Sequence, residues 1–154
     1  MSKYAAQTQV SSNRSRDEIE RTLIRYGATG FMYGWQENQA IIAFQASGRH
    51  VKFAFLMPDK KSTIICKTKT GRAKSETQIE QAYEQAVRQR WRALALVIKA
   101  KLEAVEAGIT CFEDEFLSHI VLPNGETVGS WMLPQLNSAY ENNKMPLLLP
   151  EISS

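Results

Sequence analysis

Hydrophobic positions recur with two different periods along the chain, and the change of period divides it into elements. From Ser15 onward Ile19, Leu23, Ile24 and Tyr26 fall on one helical stripe that stops at Gly27. Ser15 with Glu18 three positions later is a capping-box pair, so a short amphipathic helix is predicted to begin near Ser15. Between Gly30 and Met57 the period becomes two: Phe31, Tyr33 and Trp35, then Ala40, Ile42 and Phe44, then Val51, Phe53 and Phe55 alternate with other residues. Glu37-Asn38 and Ser47-Gly48 separate these runs. Connections this short join only antiparallel neighbours, which predicts a three-stranded meander ended by Pro58. The opposite face carries Met32, Ile41, Ala43, Lys52, Ala54 and Leu56, too apolar to be plainly solvated, which invites a partial cover.

Asp59 to Lys74 holds a short β-branched run, Thr63-Ile64-Ile65, and ends in a turn signal at Thr70-Gly71, which leaves a fourth strand and a loop both open. Ser75, with Gln78 as capping partner, opens the longest periodic segment. Ile79, Tyr83, Val87, Trp91, Leu94, Ile98, Leu102 and Val105 recur at steps of three and four as far as Gly108, so this helix is expected to be the spine of the fold. Thr110 with Glu113 predicts a short acidic helix through Phe116 and Leu117, and Pro123-Asn124-Gly125 a tight turn. Val128, Trp131, Met132, Leu136 and Tyr140 fit one more helix, started or kinked by Pro134, before a Leu-rich tail from Met145 to Ser154. The expected class is α+β: a three- to four-stranded antiparallel meander packed against one long helix, with additional short helices at both ends. Residues 1–15 are read as a flexible arm and 16–154 as a single domain, with a core at 16–107 and an acidic helical extension at 108–154.

Composition agrees with one globular domain: 154 residues, 44% of them hydrophobic, and a mean hydropathy of −0.32. No apolar run reaches membrane-spanning length and Met1 to Asn13 has no signal-peptide core, so a cytoplasmic protein without membrane association is expected. Cys66 and Cys111, distant from each other and accompanied only by His50 and His119, are read as free thiols, and neither a metal nor a cofactor is expected.

Charge changes the picture more. The net value is only +3, yet residues 31–75 carry eight cations against two acids, whereas residues 108–154 carry Lys144 alone against six acids. Catalytic constellations are sparse. His119 with Glu113, Asp114 and Glu115 is the one place where a histidine and carboxylates share two helical turns, and Glu115 to His119 is an i, i+4 pair that could bind a metal or serve as acid and base. The favoured reading of the same residues is an acidic helix start followed by a structural histidine. Cys66 among lysines lacks a general base, and no glycine-rich phosphate loop is present.

The most informative feature is the segment Lys60, Lys61, Lys67, Lys69, Arg72 and Lys74, six cations with no acid between Asp59 and Glu76. Such a cluster attracts a phosphate backbone by counterion release. On the long helix Arg88, Arg92 and Lys99 share one angular sector, and Arg90 with Lys101 forms a second. The aromatic residues Phe31, Tyr33, Trp35, Phe44, Phe53, Phe55 and Trp91 interleave in sequence, and a basic groove with stackable rings is how single strands are held. Against this, Glu80, Glu84, Arg88 and Arg92 at i, i+4 spacing describe a solvated face of paired charges, and rings at period two or on the spine stripe belong to a core. Single-stranded nucleic acid bound by Lys60, Lys61, Lys67, Lys69, Arg72, Lys74, Arg88, Arg90 and Arg92, with assembly into a homo-oligomer, is the first functional expectation. A protein-interaction module contacting a host protein through the acidic C-terminal third is the alternative.

The order helix, meander, basic connector and long helix, with the small and basic run from Ser75 through Ala82, Ala86, Arg88, Arg90 and Arg92, resembles the Rad52-like single-strand annealing proteins over residues 16–107. That resemblance implies a β-β-β-α core, ring assembly and a positive groove. Gly27-Ala28-Thr29-Gly30-Phe31 and the stretch from Trp91-Arg92-Ala93-Leu94 to Glu106-Ala107-Gly108 are similar to small uncharacterised phage and prophage proteins, a likeness that implies mobile-element biology and supplies no activity.

Overall fold

A computed structural model describes residues 3–145. The elements run α1 (Lys3–Arg25), β1 (Gly30–Gln36), β2 (Gln39–Ala46), β3 (Arg49–Leu56), α2 (Thr63–Cys66), α3 (Glu76–Glu106), α4 (Phe112–Phe116), a single 3-10 turn at Leu117–His119, and α5 (Val128–Asn142). The class is α+β, one antiparallel sheet of order β1-β2-β3 with the long helix α3 and shorter helices at both ends. Among the described residues no helix is long and apolar enough to cross a membrane.

The meander has the expected turns. Ser47 and Gly48 adopt φ of 51° and 72°, the left-handed pair that a two-residue hairpin requires because its twist matches that of the strands. Glu37 is at φ 52° in the first hairpin. The register pairs Gly30 with Gln45 and Gln36 with Gln39 on one side of β2, and Ala46 with Arg49 and Gln39 with Leu56 on the other. Ala40, Ile42, Phe44, Val51 and Phe53 are thereby placed on one buried face. The opposite face remains partly uncovered, with Met32 and Leu56 both about three-fifths exposed at 61% and 60%.

The spine α3 begins where the capping pattern puts it. Ser75 Oγ accepts from the Gln78 N–H at 3.3 Å, and Gln78 Oε1 accepts from the Ser75 N–H at 3.0 Å, so two donors with no intrahelical partner are satisfied reciprocally. Its stripe buries Val87, Trp91, Ala95, Ile98 and Leu102. Trp91 is the centre: it meets Tyr33 edge to face at 5.3 Å and Phe55 at 5.1 Å. Burial of a ring this size contributes roughly 3 kcal/mol. Phe116, also fully buried, stacks on Phe112 and stands edge-on to Phe44 and Phe53, closing one end of the core.

Several expectations are corrected. The first helix begins at Lys3, not Ser15, so the Ser15/Glu18 capping box does not form and helix occupies what reads as an arm. The stretch Ala5-Ala6-Gln7 contains good helix formers and no proline or glycine interrupts it, so helix propagates upstream. The Thr63-Ile64-Ile65 run forms the short helix α2, in which Ile65 is buried, rather than a fourth strand, and the sheet keeps three strands. The N-cap of α4 is Cys111, without a side-chain cap, and Thr110 Oγ1 instead donates to the Cys111 carbonyl at 3.4 Å. Pro134 neither starts nor ends α5, which runs continuously through it from a Thr127 cap. The Leu-rich tail beyond Met145 lies outside the described residues.

Candidate nucleic-acid interface

The basic connector folds into a compact projection. After α2, Lys67 and Ala73 form an isolated antiparallel bridge, Thr68 N–H donates to the Arg72 carbonyl at 2.8 Å, and Lys74 N–H donates to the Cys66 carbonyl at 2.9 Å. Gly71, at φ 85°, supplies the left-handed step that closes this small loop, and Thr68 Oγ1 caps the Arg72 N–H at 3.1 Å. These bonds hold the loop closed without help from the cationic side chains. Lys61, Lys67, Lys69 and Arg72 are exposed and Lys74 half-buried, and none of the five makes an ion pair among the described residues. Lys60 differs. Its ammonium sits 2.7 Å from Glu80 Oε2 and 4.8 Å from the Tyr83 ring centre, and the hydrogen bond to Glu80 holds its pKa above the usual lysine value. It is neutralised in place and drops out of the set of free cations.

The three arginines of α3 divide. Arg88 and Arg92 line a cleft of about 610 Å³ between α1 and α3, together with Arg14, Glu18, Gln85 and Gln89. Three guanidiniums against one carboxylate make this cleft a donor-rich recess suited to an anion. Arg14 was not among the sequence candidates, because it falls where a loose arm was expected. Only the extension of α1 brings it opposite Arg88. Arg90 points elsewhere and donates to the Leu56 carbonyl at the end of β3, so it fastens the helix to the sheet. The loop and the cleft are joined by the first part of α3: Ser75 to Arg88 is about 20 Å along the helix axis.

The solvated face expected at Glu80, Glu84, Arg88 and Arg92 does not exist as such. Helix α1 packs along α3 in the same direction, Arg16 beside Trp91 and Tyr26 beside Glu106, and Glu84 of α3 is only 5% exposed, its Oε1 without a hydrogen-bond partner among the described residues. The aromatic residues are core, as their periodicity indicates. Phe44, Phe53 and Trp91 are buried, and Phe31, Tyr33 and Phe55 pack against them. Arg16 lies 4.2 Å over the Tyr33 ring and 5.7 Å from that of Trp91, a cation–π contact that spends both faces inside the protein. Burial raises the Tyr33 phenol pKa while Arg16 opposes the shift. Of the seven rings that interleave in the sequence, Trp35 stays open to stacking, at 58% exposure.

The acid and base constellation is taken apart by its neighbours. Glu115 pairs with Lys101 at 3.0 Å, while His119 stacks on Phe53 with ring centres 3.9 Å apart. Burial, and then the Lys101 charge, push the His119 pKa below its ordinary value. Lys101, the expected second-rail partner of Arg90, is therefore engaged with Glu115 instead. No group of three or more His, Cys, Asp or Glu able to hold a metal occurs among the described residues. No protein-family model, curated protein or solved structure matches the chain, so its function is read from this geometry.

Proposed function

We propose that the protein is a non-enzymatic binder of single-stranded nucleic acid, held by electrostatic capture on the loop that presents Lys61, Lys67, Lys69, Arg72 and Lys74. The strand would continue toward the recess of Arg88 and Arg92. In a phage or mobile-element setting such capture would serve strand annealing. The observation that carries this reading is the absence of ion-pair partners around those five side chains among the described residues, in a loop held closed by its own backbone bonds. Concentrated, unneutralised charge of this kind gains free energy by displacing counterions from phosphates. Arg90 and Lys60, engaged with Leu56 and Glu80, are left out of the contact set.

Fluorescence anisotropy of a labelled oligonucleotide across a salt series tests it. Log affinity should fall with log salt at a slope of about −0.7 for each phosphate contacted, and the triple variant Lys67→Ala, Lys69→Ala, Arg72→Ala should flatten that slope by about 2. Absence of binding at low salt discards the reading, and a slope unchanged in the triple variant moves the contact away from the loop.

A second reading is favoured by α5. It buries no residue, and Met132, Leu136, Ala139, Tyr140 and Met145 line an apolar groove of about 350 Å³ along it, the kind of surface that a protein partner covers. Retention of a host protein on immobilised wild type, lost in Leu136→Asp with the fold intact, would support it.

A further inference from the structure

The two edges of the sheet are not treated alike. The β3 edge is shielded: Ile120 bridges to Val51, Val121 N–H donates to the His50 carbonyl at 2.8 Å, and the strand carries Arg49 and Lys52. The β1 edge has no strand beside it among the described residues. Natural sheets blunt such an edge with charge, proline, a bulge or brevity. The strand Gly-Phe-Met-Tyr-Gly-Trp-Gln is seven residues long and has neither a charged residue nor a proline.

Its backbone phase can be read from its neighbours. Met57 N–H donates to the Asn38 carbonyl at 2.7 Å, and the two-residue turn at Glu37-Asn38 closes on the Gln36/Gln39 pair. Hydrogen-bonded pairs alternate with non-bonded ones, so Gly30, Met32, Gly34 and Gln36 turn their N–H and C=O groups toward β2. Those of Phe31, Tyr33 and Trp35 point out of the sheet.

We propose that β1 pairs antiparallel with β1 of a second copy of this chain, about a two-fold axis at Tyr33, to make one continuous six-stranded sheet. The strand is self-complementary in that register. Tyr33 faces Tyr33 of the second copy, and Phe31 faces Trp35 twice; these three pairs use the outward backbone groups that the β1 edge leaves free. The rings of Phe31 and Trp35 meet as cross-strand aromatic neighbours, a favourable combination. Met32 faces Gly34, where a Cβ would meet nothing within 4 Å, so a long side chain stands opposite an empty position. The lack of charge removes the like-charge repulsion that identical strands otherwise suffer when they meet about a two-fold. The shielded β3 edge, with its two cations, could not pair with itself in this way.

Sedimentation velocity from micromolar to submillimolar concentration, with register mapping by disulfide, tests the pairing. In a Cys66→Ser, Cys111→Ser background, a mixture of Met32→Cys and Gly34→Cys chains treated with oxidised glutathione should form a cross-linked dimer, since facing non-bonded pairs bring Cβ atoms within disulfide reach. Either chain treated alone should not. Trp35→Lys, at an exposed position, should raise the dimer dissociation constant about tenfold or more without changing the far-ultraviolet circular dichroism, because each substitution acts twice across the axis. A wild type that stays monomeric over the whole range overturns the proposal. So does a dimer in which the mixture fails to cross-link, and that measurement decides the matter even if Trp35→Lys fails to fold.

Discussion

Helices α3 and α5 both carry apolar residues at helical spacing, yet α3 sinks five apolar residues of its stripe into the core while α5 buries none. Trp91 is 1% exposed and Ile98 0%, whereas Leu133 and Leu136 of α5 are 55% and 47% exposed and Tyr140 83%. The difference lies in what each helix is laid against. The sheet and α1 approach α3 from two sides. The α5 helix reaches the rest of the molecule near its start, where Gly129 comes so close to Ser118 that an added Cβ would stand 2.9 Å from the Ser118 carbonyl oxygen. An amphipathic pattern thus announces a face that wants cover, without saying whether this chain provides it.

Truncating the two stripes breaks the comparison most sharply. Trp91→Ala should cost about 3–5 kcal/mol in denaturant unfolding, because it empties a ring-sized space lined by Tyr33 and Phe55. Leu136→Ala should stay within about 0.5 kcal/mol, as expected of a side chain already half in water. Equal losses at the two positions would mean that α5 is covered in solution. Gly129→Ala comes next, at about 1–3 kcal/mol, since the Ser118 backbone must move to admit the methyl group. Protease nicking within α5 should rise in that variant while α3 remains protected. The caps differ less: Ser75→Ala removes one half of a reciprocal pair and should cost about 1 kcal/mol by thermal unfolding, with Thr127→Ala, whose hydroxyl accepts from Ser130 N–H at 3.2 Å, at or below that.

The smallest effect is the pH response of the turn between the two regions. Burial holds the folded-state His119 pKa below 6.5, so the folded protein binds fewer protons than the unfolded chain between those two values. Stability should therefore be fully present above pH 6.5 and decline as the pH falls through 6.5 toward the folded value. His119→Gln should flatten that part of the profile, as read by unfolding midpoints at stepped pH. An unchanged slope would place the titration on another group.

Legibility followed the range of the interaction. The strands, both hairpin turns, the capped start of α3 and the Pro123-Asn124-Gly125 turn depend on neighbours a few positions away. Asn124 Oδ1, for instance, accepts from Glu126 N–H at 3.0 Å. Ser15 misled because a capping signature states that a helix can start there, not that it must. The upstream residues were able to continue it, and α1 begins at Lys3. The cations show the same limit: Lys60 and Lys67 look alike in a basic run, yet one lies against Glu80 and the other faces solvent.

Local spacing by itself determined the α+β class, the order of the three strands and the long helix, and which residues want to leave water, because backbone geometry repeats every two or 3.6 residues and turn chemistry acts over three or four. Contacts between distant segments decided the rest. The packing of α1 against α3 gathers Arg14, Arg88 and Arg92, Glu84 ends up buried, the ion pair with Lys101 takes Glu115 away from His119, and the sheet order leaves β1 without a neighbouring strand among the described residues. Those outcomes turn on which surfaces meet in space, and a pattern with a range of a few residues carries no record of that.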